Sequence, residues 1–370
     1  MILASFDNAT FQGCAMMRLS GFLLLLATTI PLLAQEVPKP PPPAEAKKNL
    51  LKLLDRPKVP AAVKVLSEPK EAGGFVTEHY DFASEKKADG TEERVPALLV
   101  RPAKPGKFPV MIVLHGTGGN KESQLSWLKE YAKRDIIGVA IDARYHGERS
   151  GGAKGSEAYV AAITKAWKTP TGQPHEHPFY YDTVWDLWRL LDQLETRPDV
   201  DTKHLGMLGI SMGGIQTWLA ASVDDRVSVA APLIGVQSFL VSLENDKWQG
   251  RANTIKAAHE AAAKDLGEPA VNARVCRALW GKVIPGILDQ FDCPNLLPLF
   301  AGRALFIANG AKDPNCPLEG AKIAIARAEE AFEKANAKDK LKVIIEDVAH
   351  TVTPNAREQA IEWTSKMLKP

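Results

Sequence analysis

The sequence predicts an α/β fold with a mostly parallel sheet that is flanked by helices. Short, continuously apolar segments recur along the chain, as in FPVMIVL (108–114) and IIGVAIDA (136–143). Such unbroken runs are typical of strands that are buried on both faces. Most of them are followed by a helical pattern, for example KESQLSWLKEYAKR (121–134). Because strands and helices alternate, we expect a layered α/β domain with parallel strands.

The composition is that of an ordinary globular protein. The 370 residues are 45% hydrophobic and include 46 basic and 44 acidic side chains, for a net charge of +2. A nucleic-acid-binding protein would show a clustered excess of basic residues. We therefore expect no nucleic-acid partner, and the oligomeric state stays open.

Residues 1–34 are predicted to be a signal peptide. Arg18 precedes the apolar stretch LSGFLLLLATTIPLLA, and the small residue Ala34 offers a cleavage point, as in export signals. Met16 or Met17 is then the expected start. A membrane anchor is the alternative, but the apolar run is short for a membrane span. We expect a secreted or periplasmic protein that has no membrane span in its mature form.

The rest of the chain divides into a linker and one folded domain. Residues 35–48, QEVPKPPPPAEAKK, are rich in Pro and Lys and predict an extended linker. Residues 49–370 are the predicted domain. Within it, a mostly helical insertion at about 236–300 separates two predicted strands. This insertion would lie over the carboxyl edge of the sheet as a cap.

Cysteine is sparse, and the sequence contains no CxxC or His-x-x-x-His ligand set that would predict a metal site. In an exported protein Cys276 and Cys293 could form a disulfide and leave Cys316 free, or all three could be buried thiols. His175 and His177 flank Glu176 in the motif HEH, which is better explained as a surface loop than as a ligand set. We expect neither a metal nor another cofactor.

Four loops that follow predicted strands contain the candidate functional residues. In a parallel sheet the active site lies outside the carboxyl ends of the strands. The loops are HGTGGN (115–120), GISMGG (209–214), NGAKDPNCP (309–317) and DVAHTVTP (347–354). They supply Ser211, then Asp313, then His350. This chain order of serine, acid and histidine is that of the α/β-hydrolase triad, and other serine hydrolase folds use other orders.

Each member of this set has a defined chemical task. Ser211 is a weak nucleophile unless a base takes its proton, and His350 can take that proton and return it to the leaving group. Asp313 is the predicted acid that orients the imidazole. Asp347 and Glu346 are its rivals, but Asp347 is only three residues before His350 and is too close in sequence to present its carboxylate well.

The glycines around the serine predict a tight turn and an oxyanion hole. Gly209 and Gly213 satisfy the steric demand of a strained strand-to-helix turn. The start of the next helix adds a positive partial charge, and the Met212 amide is the predicted first oxyanion donor. The second donor is predicted to be the Thr117 amide, with Gly118 as the alternative.

Several neighbouring residues have a structural explanation. His115 is predicted to be structural because an oxyanion loop uses backbone groups. The segment DARYHGER (142–149) could line the site or form an internal salt-bridge cluster around Arg144. Trp185 and Trp188 are separated by a helical spacing and are predicted to lie in the core.

The motifs HGTGG, DARYHGE, GISMGG, NGAKDP and AHTVTP together resemble the α/β-hydrolase superfamily. Within it the chain is similar to dienelactone-hydrolase-like and prolyl-oligopeptidase-like esterases, including bacterial acetyl xylan esterases. The resemblance covers roughly residues 72–370. It implies an eight-stranded sheet and hydrolysis through an acyl-enzyme. The helical insertion predicted from the chain would then follow strand 6. It also implies Ser211 as nucleophile, Asp313 as acid and His350 as base. Dienelactone hydrolases have a Cys nucleophile and prolyl oligopeptidases a large propeller domain, and this chain shares neither feature.

The sequence thus predicts an exported serine hydrolase that cleaves a small-molecule or saccharide carboxylic ester. A peptidase or amidase that uses the same triad is one alternative, because acyl transfer to water is common to both. A non-catalytic binding protein with the same fold is the other. The ester itself and its acyl chain are left open by the sequence.

Overall fold

One sheet forms the centre of the computed structural model, which describes residues 40–369. Within these residues the sheet has nine strands: β1 (Lys64–Ala72), β2 (Phe75–Lys86), β3 (Glu92–Pro102), β4 (Phe108–Leu114), β5 (Ile137–Ile141), β6 (Val200–Ile210), β7 (Val227–Leu233), β8 (Ala304–Gly310) and β9 (Leu341–Glu346). The predicted signal peptide and residues 35–39 of the predicted linker lie outside the described residues.

The strand order across the sheet is β1-β2-β3-β5-β4-β6-β7-β8-β9. Strands β1, β2 and β3 are antiparallel, and the pairs from β5 to β9 are parallel. The expected mostly parallel sheet is confirmed, but the expected count of eight strands is wrong by one. The additional strand is β1 at the edge, where every residue is exposed. It therefore lacks the apolar pattern from which a buried strand can be predicted.

Twelve α-helices lie within the same residues: α1 (Pro43–Leu53), α2 (Leu125–Ala132), α3 (Glu157–Lys168), α4 (Tyr181–Leu194), α5 (Met212–Val223), α6 (Phe239–Glu244), α7 (Gln249–Asn253), α8 (Lys256–Asp265), α9 (Ala273–Val283), α10 (Cys293–Leu296), α11 (Leu318–Lys334) and α12 (Pro354–Leu368). Helix α1 includes the end of the predicted linker, so residues 43–48 are helical rather than extended. Proline suits the first position of a helix, and Ala46 and Leu50 are buried.

The apolar run in β4 shows why the central strands are continuously hydrophobic. Val110 and Ile112 belong to one hydrophobic cluster, whereas Met111 and Val113 belong to a second cluster. Successive side chains point to opposite faces of a sheet, so both faces of β4 are covered. Helices α2 and α12 pack on one face, and α4, α5 and α11 lie on the other.

The helical insertion consists of α6 to α10 and lies between β7 and β8. It follows the seventh strand rather than the sixth because β1 precedes the strands that were predicted. Buried Asp292 ties its two ends together, since its Oδ1 accepts hydrogen bonds from the Phe239 amide at 3.0 Å and the Cys293 amide at 2.9 Å. Helix α8 of the insertion also packs against α3.

Contacts and burial answer the questions left open about Arg144 and the cysteines, and they confirm that the tryptophan pair lies in the core. Arg144 forms an internal ion pair with Asp186, with Nε 2.8 Å from Oδ2. Trp185 and Trp188 are buried, and their ring centroids are 6.4 Å apart. The three described cysteines are free thiols and are buried. Among residues 40–369, no helix is long and apolar enough to cross a membrane.

Candidate active site

Ser211 lies in the turn between β6 and α5, in a strained backbone conformation. Its φ is 57° and its ψ is −111°, a region that residues other than glycine seldom adopt. A Cβ on Gly209 would lie 2.0 Å from the Gly213 carbonyl oxygen, and one on Gly213 would lie 2.6 Å from the Leu114 carbonyl oxygen. Larger residues at these two positions would therefore prevent the turn.

The structure brings Ser211, His350 and Asp313 together in one hydrogen-bonded chain. Ser211 Oγ is 2.7 Å from His350 Nε2, and His350 Nδ1 is 2.7 Å from Asp313 Oδ2. A carboxylate can only accept, so Nδ1 carries a proton and Nε2 is free to accept from the serine hydroxyl. This arrangement can activate a serine for attack on a carbonyl group.

Asp313 is held by its own loop. Its side chain is fully buried, and its second oxygen, Oδ1, accepts hydrogen bonds from the Asn315 amide at 2.8 Å and the Cys316 amide at 3.0 Å. Together with the imidazole, these amides satisfy a carboxylate that would otherwise be costly to bury. The carboxyl group is thus fixed in position and in orientation.

The rival acids point elsewhere. Asp347 pairs with Lys312, at 2.8 Å, in a salt bridge whose two side chains are largely exposed. Glu346 accepts from Thr353 Oγ1 at 2.5 Å and from Asn355 Nδ2 at 2.9 Å, at the beginning of α12. Neither carboxylate orients His350.

Two backbone amides near Ser211 are the candidate oxyanion donors. Met212 is the first residue of α5, so its amide has no acceptor within the helix. The loop that contains Thr117 runs beside the nucleophile, because a Cβ on Gly116 would lie 3.5 Å from Ser211 Cβ. Within residues 40–369 neither amide has a backbone hydrogen-bond partner. Both are therefore available to donate.

His115 holds this loop in shape. It is buried, and its Nε2 accepts a hydrogen bond from the Ala143 amide at 3.1 Å. Its Nδ1 must then carry the proton, which it donates to the Gly116 carbonyl at 2.8 Å. Burial lowers the pKa of His115, so the ring is neutral near neutral pH. Its role is structural, as its place in a backbone-donor loop suggested.

Asp142 fixes the other end of the loop, which sequence reasoning missed. Its buried carboxylate accepts from the Lys121 amide at 2.8 Å, from Lys121 Nζ at 3.0 Å and from the Glu148 amide at 3.0 Å. A Cβ on Gly147 would lie 2.3 Å from Asp142 Cγ, so only glycine fits there. The motif DARYHGER contained this signal, but its sequence does not distinguish a lining role from an internal one.

The potential metal ligands are engaged in other contacts. His79, Glu122 and Glu148 come together, but Lys121 Nζ lies 2.8 Å from Glu122 and 2.5 Å from Glu148. The ammonium group thus pairs with both acids of that cluster. In the HEH loop, His177 Nδ1 bonds to the Val283 carbonyl at 3.1 Å, which fits a structural loop.

Comparison with known proteins confirms the resemblance to esterases of the α/β-hydrolase superfamily. Residues 69–243 match the family model described as acetyl xylan esterase (AXE1). The chain is 25% identical over 342 residues to YtaP of Bacillus subtilis (strain 168), a provisionally assigned hydrolase; the alignment covers 88% of this chain and 99% of YtaP.

Solved structures of esterases share the fold. Acetyl xylan esterase 1 from Thermoanaerobacterium sp. JW/SL YS485 superposes with a TM-score of 0.61 at 18% identity, over 90% of this chain and 96% of that one. The acetyl xylan esterase from Paenibacillus sp. R4 gives a TM-score of 0.58 at 20% identity, over 89% and 97% of the two chains. The α/β-hydrolase fold is therefore confirmed, and the matching family model and these two solved structures are of acetyl xylan esterases.

Proposed function

We propose that this chain is a serine hydrolase that removes acyl groups, acetyl in the first instance, from the hydroxyl groups of saccharides. The observation that carries the proposal is the hydrogen-bonded chain from Ser211 through His350 to Asp313, next to two free amides at the start of α5 and in the Thr117 loop. The match of residues 69–243 to an acetyl xylan esterase model supports an acetylated sugar as the substrate.

In this mechanism Ser211 Oγ attacks the ester carbonyl while its proton moves to His350 Nε2. The Met212 and Thr117 amides donate to the oxyanion of the tetrahedral intermediate, and the N-terminus of α5 adds its partial positive charge. His350 then protonates the leaving alcohol, and an acyl-enzyme remains. Water, deprotonated by His350, attacks the acyl carbon and releases the carboxylic acid and Ser211. No further reactant is needed.

Export belongs to the proposal as well. It rests on the charged, apolar and small-residue pattern of residues 1–34. A saccharide polymer fragment outside the cytoplasm would be a fitting substrate. N-terminal sequencing of the protein recovered from the growth medium or periplasm checks this, and a mature N-terminus at Gln35 is the expected result.

The test of the catalytic assignment is Ser211→Ala, assayed on p-nitrophenyl acetate and on an acetylated xylo-oligosaccharide. We expect kcat to fall by roughly 10³-fold or more. Ser126→Ala, an exposed serine on α2, is the matched control and should retain wild-type turnover. Wild-type activity in the Ser211 variant would overturn the proposal.

Two further assays separate the alternatives. Aminoacyl amides, compared with acyl esters, report on peptidase or amidase activity, and faster turnover of the amides would favour that alternative. A fluorophosphonate probe reports on the nucleophile itself, and failure to label Ser211 would favour a non-catalytic binding protein.

A further inference from the structure

A buried cation in the helical insertion lies against the loop that holds Asp313. Arg251 belongs to the short helix α7 and is only 2% exposed. Its neighbour Gly250 approaches the loop so closely that a Cβ there would lie 2.0 Å from the Pro314 carbonyl oxygen. Helix α7 therefore packs directly on the segment that presents the acid.

The guanidinium bonds to this loop rather than to a carboxylate. Arg251 Nη2 donates to the Asn315 carbonyl at 3.0 Å and lies 3.3 Å from Cys316 Sγ. With its amide oriented to satisfy both neighbours, Gln237 accepts from Nη2 at 3.2 Å and donates to the Asn315 carbonyl at 2.9 Å. Asn315 and Cys316 in turn donate their amides to Asp313. A hydrogen-bonded path thus leads from Arg251 through one residue, Asn315, to the Asp313 carboxylate.

Arg251 lacks the counter-ion that a buried cation normally has. Among the described residues, no Asp or Glu oxygen lies within 4.0 Å of its nitrogens, and its Nε has no hydrogen-bond partner. A buried charge without a direct partner is expensive. Local costs of this kind are typical of functional sites.

The other titratable groups that face Arg251 are neutral near neutral pH. They are Tyr180, which precedes α4 and lies 3.4 Å from Nη1, Tyr159 of α3, and Cys316. Burial raises the pKa of Tyr180 to about 12 and that of Cys316 to about 12, and it raises the pKa of Tyr159 as well. Asp313 is the carboxylic acid among the groups whose charge acts on Arg251.

We propose that Arg251 is a positioning residue for Asp313: it holds the acid loop through Asn315, and its charge balances the Asp313 carboxylate. This proposal rests on the proposed function of the triad. Arg251 acts through another residue and has no contact with the reacting atoms, so kcat should depend on it more than KM does. Removal of this buried positive charge should favour protonation at the triad, so the acid limb of the pH profile should respond to it.

Two substitutions separate the charge from the hydrogen bonds. Arg251→Gln keeps a donor but removes the charge. We expect its acid limb, in kcat/KM against pH, to move to higher pH by roughly 0.5 unit. Arg251→Lys keeps the charge but loses the planar fork. We expect its acid limb to stay in place while kcat falls about tenfold.

The rate of fluorophosphonate labelling of Ser211 is measured over the same pH range, because it reports on the triad independently of the ester chosen. An acid limb in R251Q that coincides with that of the wild type overturns the proposal. If R251Q yields no folded protein by circular dichroism, R251K decides, and an unchanged kcat there overturns it. Failure of the proposed function looks different, because the wild type itself would then neither hydrolyse esters nor react with the probe.

Discussion

His350 Nδ1 lies 2.7 Å from Asp313 Oδ2, although the two residues are separated by 37 positions in the chain. Asp347, three residues from His350, instead forms an exposed pair with Lys312. Asp313 can reach His350 because β8 and β9 are parallel neighbours, so the loops after these two strands meet at one edge of the sheet.

Asp313→Asn should lower kcat on p-nitrophenyl acetate by about 10²–10⁴-fold. The amide would donate rather than only accept, so it would favour the wrong imidazole tautomer. Asp347→Asn is the matched control, and we expect it to change kcat by no more than about twofold because an exposed ion pair contributes little. Equal losses in the two variants would contradict the assignment of the acid.

The sequence predicted the parts of this site that depend on local chemistry. The residues around Ser211 need glycine for steric reasons, and these requirements are visible in GISMGG. The loops that contain Ser211, Asp313 and His350 each follow a predicted strand, and the structure places them after β6, β8 and β9. Strand β1 could not be predicted because an edge strand with two exposed faces has no apolar pattern.

The supporting contacts around the site depend on packing between distant segments. Arg251 and Asn315 are 64 residues apart, and nothing in the helical pattern of the insertion indicates which of its cations is buried. Asp142 could be seen as a charged residue after a strand, but its bond to the Lys121 amide exists only in the folded chain. Tertiary contacts of this kind leave little trace in a sequence of one protein.

The oxyanion hole can be tested by removing one amide. Thr117→Pro lacks the N–H group, and we expect kcat to fall by about 10²–10³-fold. Thr117→Ala keeps the amide and should lose far less. Equal kcat values for T117P and T117A would assign the second donor to another amide, with Gly118 as the first candidate.

The turn that presents Ser211 should tolerate no side chain at Gly209. A methyl group there would lie 2.0 Å from the Gly213 carbonyl oxygen, so Gly209→Ala should lower the melting temperature and abolish esterase activity. Gly281→Ala is the control. It lies within α9 with no atom inside 4 Å of the new Cβ, and alanine there should stabilise the fold by about 0.5–1 kcal/mol. Thermal unfolding of both variants checks this, and an unaltered melting temperature in G209A would contradict it.

His259 should make the helical insertion sensitive to acid. Its Nε2 accepts from Trp280 Nε1 at 3.0 Å, and burial lowers its pKa from 6.5 to about 4. The unfolded chain therefore binds more protons between pH 4 and 6.5, and stability should be lost as pH falls through this window, by up to about 3 kcal/mol.

Buried Asp292 acts in the opposite direction, because burial raises its pKa to about 6. The comparison of wild type with His259→Gln cancels that contribution. Denaturant unfolding at several pH values should show a smaller loss on acidification in H259Q, and equal losses in the two proteins would rule out His259 as the source.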